Sequence, residues 1–178
     1  GVVFAAAQTD MKRLLAYSSI ENIGIVFLGI GLTIQFQAFG MKVLAALTLA
    51  AALYHCLNHA FFKSLLFLAT GSVLHARRER TLGKPGGLIH RMPWVAWLAL
   101  VGTLAIAGLP PLNGFASEWM LLQAFLLTPG LPNSYLNMLV PVATAAVALV
   151  VALAGYVMVK FYGVVFLGLP REESLAQA

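Results

Sequence analysis

Apolar residues dominate four stretches of the chain, at about 14–34, 43–74, 92–128 and 135–169, and polar residues collect between them. Apolar runs of this length predict helices that cross a bilayer. The second run, of about 32 residues, would be roughly 48 Å long against a hydrocarbon core of roughly 30 Å. It must therefore tilt, project beyond the bilayer or break near its polar middle. The third run is interrupted by Gly108-Leu109-Pro110-Pro111-Leu112-Asn113-Gly114. What resumes at Phe115 covers about 14 residues, roughly 21 Å of helix and too short to cross alone. The pattern favours one discontinuous traversal over 92–128, with the helix break at Pro110, Pro111 and Gly114. Two separate short helices are the alternative, and they would reverse the last span.

The predicted fold is all-α, a polytopic transmembrane helical bundle with a discontinuous helix, forming one domain over 1–178. Before the first span, 1–7 resembles the tail of a preceding helix and Gln8-Thr9-Asp10-Met11-Lys12-Arg13 reads as a charged loop. The first residue is Gly1, the opening is hydrophobic and no signal-peptide pattern is present, so we expect a fragment of a longer membrane protein.

Composition agrees with the pattern: 61% of the 178 residues are hydrophobic and 10% charged. The net charge of +5 would admit a nucleic-acid partner. The basic residues instead sit in connecting segments, as the positive-inside rule requires, so no nucleic acid is expected. Segment 75–91 holds Arg77, Arg78, Arg80, Lys84 and Arg91 against Glu79 alone, and its Gly83-Lys84-Pro85-Gly86-Gly87 core opposes helix. That excess predicts a cytoplasmic loop, with Lys12 and Arg13 on the same side and the Pro170-Arg171-Glu172-Glu173 end returning to it. Cys56 is the only cysteine, which excludes a disulfide or a cysteine-ligated iron–sulfur cluster within this sequence.

The candidate chemistry lies inside the apolar runs. His55, His59 and Lys63 recur every fourth residue and so share one helix face. Ionisable groups at membrane depth are costly and mark a pathway by default. Three readings are open. The histidine pair has metal-ligand spacing, but the lysine adds a cation and no carboxylate assists. Hydrogen bonding between helices would need no transport. A proton relay suits the residue types best, because histidine titrates near neutrality and desolvation favours a neutral lysine.

Glu118 follows the break, where freed backbone groups are tolerated only if they line a cavity or are buried in protein. It is a candidate for an exchangeable proton, or else a partner of the positive end of the resumed helix. Glu21 is either a pathway carboxylate or an interfacial, solvated one. Lys160 lies close enough to the end of its span to snorkel. Trp94, Trp97, Tyr135 and Tyr162 suit interfacial anchors.

Three blocks resemble the proton-translocating antiporter-type subunits shared by respiratory complex I, multisubunit sodium/proton antiporters and membrane-bound hydrogenases. They are Asp10-Met11-Lys12-Arg13-Leu14-Leu15-Ala16-Tyr17-Ser18-Ser19-Ile20, His59-Ala60-Phe61-Phe62-Lys63, and Leu109-Pro110-Pro111-Leu112-Asn113-Gly114-Phe115-Ala116-Ser117-Glu118. The resemblance implies that Lys63 is the buried lysine of that family, His55 and His59 its central histidines, and Glu118 the ionisable group of its broken helix. Ser19-Ile20-Glu21-Asn22-Ile23-Gly24, Ser117-Glu118-Trp119, Val159-Lys160-Phe161-Tyr162-Gly163 and Phe166-Leu167-Gly168-Leu169-Pro170-Arg171 are similar to the branch serving hydrogenase 4 and formate hydrogenlyase. That branch places Lys160 in the pathway on equal terms with snorkelling.

The resemblance further implies that the chain holds little more than the second of two inverted repeats, without the glutamate–lysine pair of the first. It implies proton translocation within a redox-driven complex such as a group 4 nickel–iron hydrogenase or a complex I-like enzyme. No cofactor or catalytic residue is then expected on this chain. Nickel–iron and iron–sulfur centres would sit on partner subunits, namely a peripheral hydrogenase or dehydrogenase arm with other membrane subunits. The setting implied is a prokaryotic inner membrane. A sodium/proton antiporter subunit and a non-transporting scaffold are the rival readings.

Overall fold

The computed structural model describes residues 1–84, 86–128 and 130–169. Its elements are α1 (Val2–Ala7), α2 (Met11–Ala38), α3 (Lys42–Arg77), α4 (Leu88–Arg91), α5 (Pro93–Ile106), α6 (Asn113–Leu126) and α7 (Ser134–Phe166). Pro85, Pro129 and the expected terminal Pro170-Arg171-Glu172-Glu173 lie outside the described residues. Among those described, α2, α3 and α7 are each long and apolar enough to cross a membrane.

The second span does not break at its polar middle. α3 runs unbroken for 36 residues, roughly 54 Å, and so tilts or projects. It ends at Arg78, which adopts φ 52 and caps it in the left-handed conformation. Segment 75–91 is thus not all loop: its first residues complete α3, and Leu88, fully buried, anchors the short α4.

α2 and α3 lie antiparallel. Thr33 and Thr48 hydroxyls meet at 2.9 Å. Further along, a Cβ on Gly29 would come within 3.0 Å of the Ala52 methyl. Small residues at this crossing let the two backbones approach closely.

α5 and α6 then follow α3 in the opposite sense, one after the other. Met92 and Val95 line one cavity with Gly71 and His75. Gly102 faces Leu66, Asn113 bonds to Asn58, and Ser117 bonds to His55. This steady progression sets α5 and α6 end to end along α3, running in one direction.

The interruption has local causes. Gly108 N–H bonds to Ala105 C=O and Leu109 N–H to Leu104 C=O, each at 3.2 Å, with Gly108 at φ +65. That is a glycine-capped helix end, and prolines commonly follow one. Gly114 lies just inside α6 rather than in the gap, and a Cβ there would overlap the Ala105 carbonyl oxygen. Only glycine lets the second half-helix begin so close to the end of the first.

At one end of the bundle the connections are tied together. Met11 N–H donates to Arg80 C=O at 3.0 Å and Leu82 N–H to Thr9 C=O at 2.6 Å. The Asp10 carboxylate caps α2 by accepting from the Lys12 and Arg13 amides, and it pairs with Arg80 Nε at 3.3 Å. Glu79 accepts from the Arg80 and Thr81 amides and meets Lys84 Nζ at 3.2 Å. The hydrogen bonds from Thr81, backbone first, and then the Lys84 ammonium hold the Glu79 carboxyl at about 2. α7 finishes at this same end, where Gly87 N–H donates to Leu167 C=O at 3.2 Å.

Two apolar clusters make the core. One gathers Leu14, Leu15, Phe62, Leu66, Val157 and Phe161 among others, and the second gathers Ile25, Phe36, Ala51, Leu121, Phe125 and Val147. On α2 and α3, which join both, a polar interval falls between them, near the middle of α3. Trp94, Trp97 and Tyr135 are exposed, as anchors would be. Tyr162 is not an anchor: it is buried and stacks on Phe166, with ring centroids 5.1 Å apart.

Candidate functional site

The polar interval contains the expected ionisable groups. Lys63 is 5% exposed, Glu118 6%, Glu21 8% and His55 2%. His59 is half-buried, with its Nε2 atom enclosed. Leaving such groups unpaired in a low-dielectric layer is costly, so their partners define what the layer can do.

Lys63 Nζ donates to the main-chain carbonyl of Leu15 at 2.9 Å. About two turns further along α2, the Asn22 amide donates to Ser18 C=O at 2.9 Å and its oxygen faces His55 Nε2 at 3.1 Å. The other His55 nitrogen meets Ser117 Oγ at 2.9 Å. Asn58 Nδ2 donates to Asn113 C=O at 2.8 Å and to Ser117 Oγ at 3.2 Å, and Asn113 Nδ2 returns a bond to Asn58 Oδ1 at 3.2 Å. A continuous net therefore joins α2, α3 and the start of α6.

Between the His55 and Lys63 levels, Ser18 Oγ and His59 Nε2 are both buried without a partner. The α2–α3 register puts Ser18 opposite His59, because Asn22 faces His55 and Leu15 faces Lys63. Glu21 has one unpartnered buried oxygen and lies within electrostatic reach of both Lys63 and Glu118. It also lines a cavity of about 470 Å³ between α2 and α7.

Glu118 is not at the start of its helix. α6 begins at Asn113, so Glu118 stands in the second turn, beyond the reach of the helix end. Its carboxylate lies against Gly108, where a Cβ would collide with Oε2. The capping reading is thereby replaced by a carboxylate held against the break.

Lys160 is the residue that the structure sets apart. Its ammonium donates to Ala6 C=O at 2.6 Å and Gln8 C=O at 3.3 Å, closing the C-terminal end of α1. Its acceptors lie outside the polar layer.

The profile of the family described as NADH:quinone oxidoreductase/Mrp antiporter, TM, matches residues 1–131. The chain belongs to this family. It is an integral membrane protein, and the antiporter family's members include components and subunits of larger assemblies. Hydrogenase-4 component B of Escherichia coli (strain K12) is 40% identical over 178 residues, covering 100% of this chain and 26% of the relative. Formate hydrogenlyase subunit 3 of the same strain is 42% identical over 178 residues, covering 100% of this chain and 29% of the relative. A solved structure, that of the Mrp complex from Dietzia sp. DQ12-45-1b, superposes with a TM-score of 0.71 at 29% identity, over 95% of this chain and 28% of that one. The chain thus spans between a quarter and a third of the length of each of these three proteins.

Asn22, Asn58, Asn113 and Ser117 were not among the expected site residues. A signal was present: Asn58 falls on the His55–His59–Lys63 face, three residues from His55, in an otherwise apolar run.

Proposed function

We propose that the chain is the proton-conducting part of an antiporter-like subunit in a redox-driven membrane complex, of the membrane-bound hydrogenase or complex I type. The observation that carries this reading is the buried polar layer, with Lys63, His55 and Glu21 on helices long enough to span a bilayer and Glu118 on the second half of the broken helix, each under 9% exposed. Nothing in a structural scaffold requires four ionisable groups at that depth. Protons pass along the layer between Lys63 and Glu118, with His55 and His59 between them. Redox energy released on partner subunits, which carry the nickel–iron and iron–sulfur centres, shifts hydration and charge around this layer. The complex sits in a prokaryotic inner membrane, with the 78–87 loop on the cytoplasmic side.

The test is proton uptake by sealed vesicles holding the assembled complex. Lys63→Ala and Glu118→Gln each bring uptake to background at normal assembly. Parental uptake by Lys63→Ala overturns the reading. Hydrogen evolution by the purified assembly separates the redox-driven form from a sodium/proton antiporter. For topology, a cysteine replacing exposed His90 in a Cys56→Ala background is labelled by an impermeant thiol reagent only from the inner face.

A further inference from the structure

We propose that Ser117 is a hydroxyl switch, whose rotation lets His55 alternate between its neutral and protonated forms without moving any heavy atom. The proposal rests on the relay reading of His55 and assigns to Ser117, on the second half of the broken helix, a positioning role in it.

The hydrogens can be placed by elimination. The Ser18 carbonyl only accepts, so the Asn22 atom 2.9 Å from it is Nδ2 and the atom facing His55 is Oδ1. That oxygen also only accepts, so His55 Nε2 carries a hydrogen. A neutral imidazole has a single N–H, which leaves Nδ1 an acceptor. Ser117 Oγ, 2.9 Å away, must then donate to it. The Asn113 carbonyl fixes Asn58 in the same way, and the second amide hydrogen of Asn58 points at Ser117 Oγ. In this state the serine hydroxyl donates to His55 and accepts from Asn58.

The protonated form is equally provided for. One proton from hydronium is added at Nδ1, and both ring nitrogens become donors. Nε2 keeps Asn22. Nδ1 needs an acceptor, which Ser117 Oγ supplies through its remaining lone pair once its own hydrogen turns away. The Gly114 carbonyl, 3.0 Å from Oγ, receives that hydrogen, and the Asn113 carbonyl at 3.5 Å is the longer alternative. His55 gains one hydrogen, the serine O–H rotates about its Cβ–Oγ bond, and no bond between heavy atoms changes. Both charge states are fully hydrogen-bonded in one geometry.

The ionisable group that acts electrostatically on His55 is His59, one turn along α3; Lys63 acts on His59 and Glu21, and Glu21 on Glu118. None of them bonds to His55 directly, so the ring's own partners are the two neutral side chains.

The test reads the ring itself. The full-length protein is labelled with ¹⁵N-histidine, placed in bilayers, and its His55 resonances are assigned by their loss in His55→Gln. At neutral pH the parent shows His55 in the Nε2–H form with Nδ1 accepting a hydrogen bond. Ser117→Ala loses the Nδ1 bond, and Ser117→Thr restores it. Proton uptake falls roughly tenfold in Ser117→Ala, the factor that loss of a hydrogen bond to a charged group gives, and returns in Ser117→Thr. An Nδ1–H form in the parent, a spectrum unchanged by Ser117→Ala, parental uptake by Ser117→Ala, or no rescue by threonine overturns the switch. Parental uptake by Lys63→Ala defeats the relay reading alone and leaves the placement of the hydrogens standing.

Discussion

The Lys63 ammonium reaches across the α2–α3 interface to the main-chain carbonyl of Leu15, 2.9 Å away. A carbonyl stabilises the charge without neutralising it. Glu21, the carboxylate that Lys63 feels, acts from beyond ion-pair distance. An ammonium held by a dipole and a distant charge can give up its proton with little rearrangement.

Lys63→Arg should therefore fail although it keeps the charge. Guanidinium stays protonated across the working pH range, and its planar fork has one carbonyl where it needs several acceptors. We expect uptake at least roughly tenfold below the parent, each such factor being about 1.4 kcal/mol of barrier. Vesicle uptake at matched assembly measures this, and parental rates would mean that Lys63 never releases its proton.

Gly114→Ala tests the break. The new methyl meets the Ala105 carbonyl oxygen, a backbone atom that cannot swing aside. Overpacking of this kind costs about 1–3 kcal/mol, and here it would push α6 away from α5. A lowered melting temperature in detergent, together with loss of uptake, is the expected pair of results. An unchanged melting temperature would show that the half-helices do not touch there.

The tie between the α1–α2 and α3–α4 connections is acid-sensitive through Glu79. Its carboxyl is held at about 2, below the ordinary value of 4.5. A depressed folded value stabilises the tied loop above the unfolded value, and that contribution fades as pH falls from about 4.5 towards 2. Hydrogen exchange at the Thr81 amide should accelerate, relative to an unstructured peptide, only across that window. Glu79→Gln should remove the dependence, and a parent profile flat over the window would refute it.

Much of this arrangement was legible because its signals are local. The prolines and glycines of 108–114 announce a break wherever they stand, and a histidine or lysine inside an apolar run stands out from its neighbours. The neutral members were harder to read. Ser117 acquires meaning only when α6 is brought alongside α3, where it pairs with Asn58 across 59 residues. Glu118 looked like a residue of the first turn because the helix seemed to resume at Phe115. The chain in fact re-enters helix at Asn113, so Glu118 moves two residues inward, into the second turn. Tyr162 shows the same limit: its amphipathic ring suits an interface, yet the packing of α1, α5 and α7 encloses it.

The partners of Lys160 were beyond local reading, since its acceptors lie 154 and 152 residues away. Its ammonium closes two carbonyls at the end of a six-residue helix, which has no basic residue in its own last turn. Lys160→Met keeps the apolar stem and removes the cap. The loss should be about 1 kcal/mol, the usual worth of a cation at a helix C-terminus, and should appear as a melting temperature lower by a few degrees. Proton uptake should stay within about twofold of the parent, because the barrier is set in the polar layer and not at α1. The two measurements separate the roles: a cap lowers stability and spares uptake, whereas a pathway residue does the reverse. Uptake lost at unchanged stability would return Lys160 to the proton path.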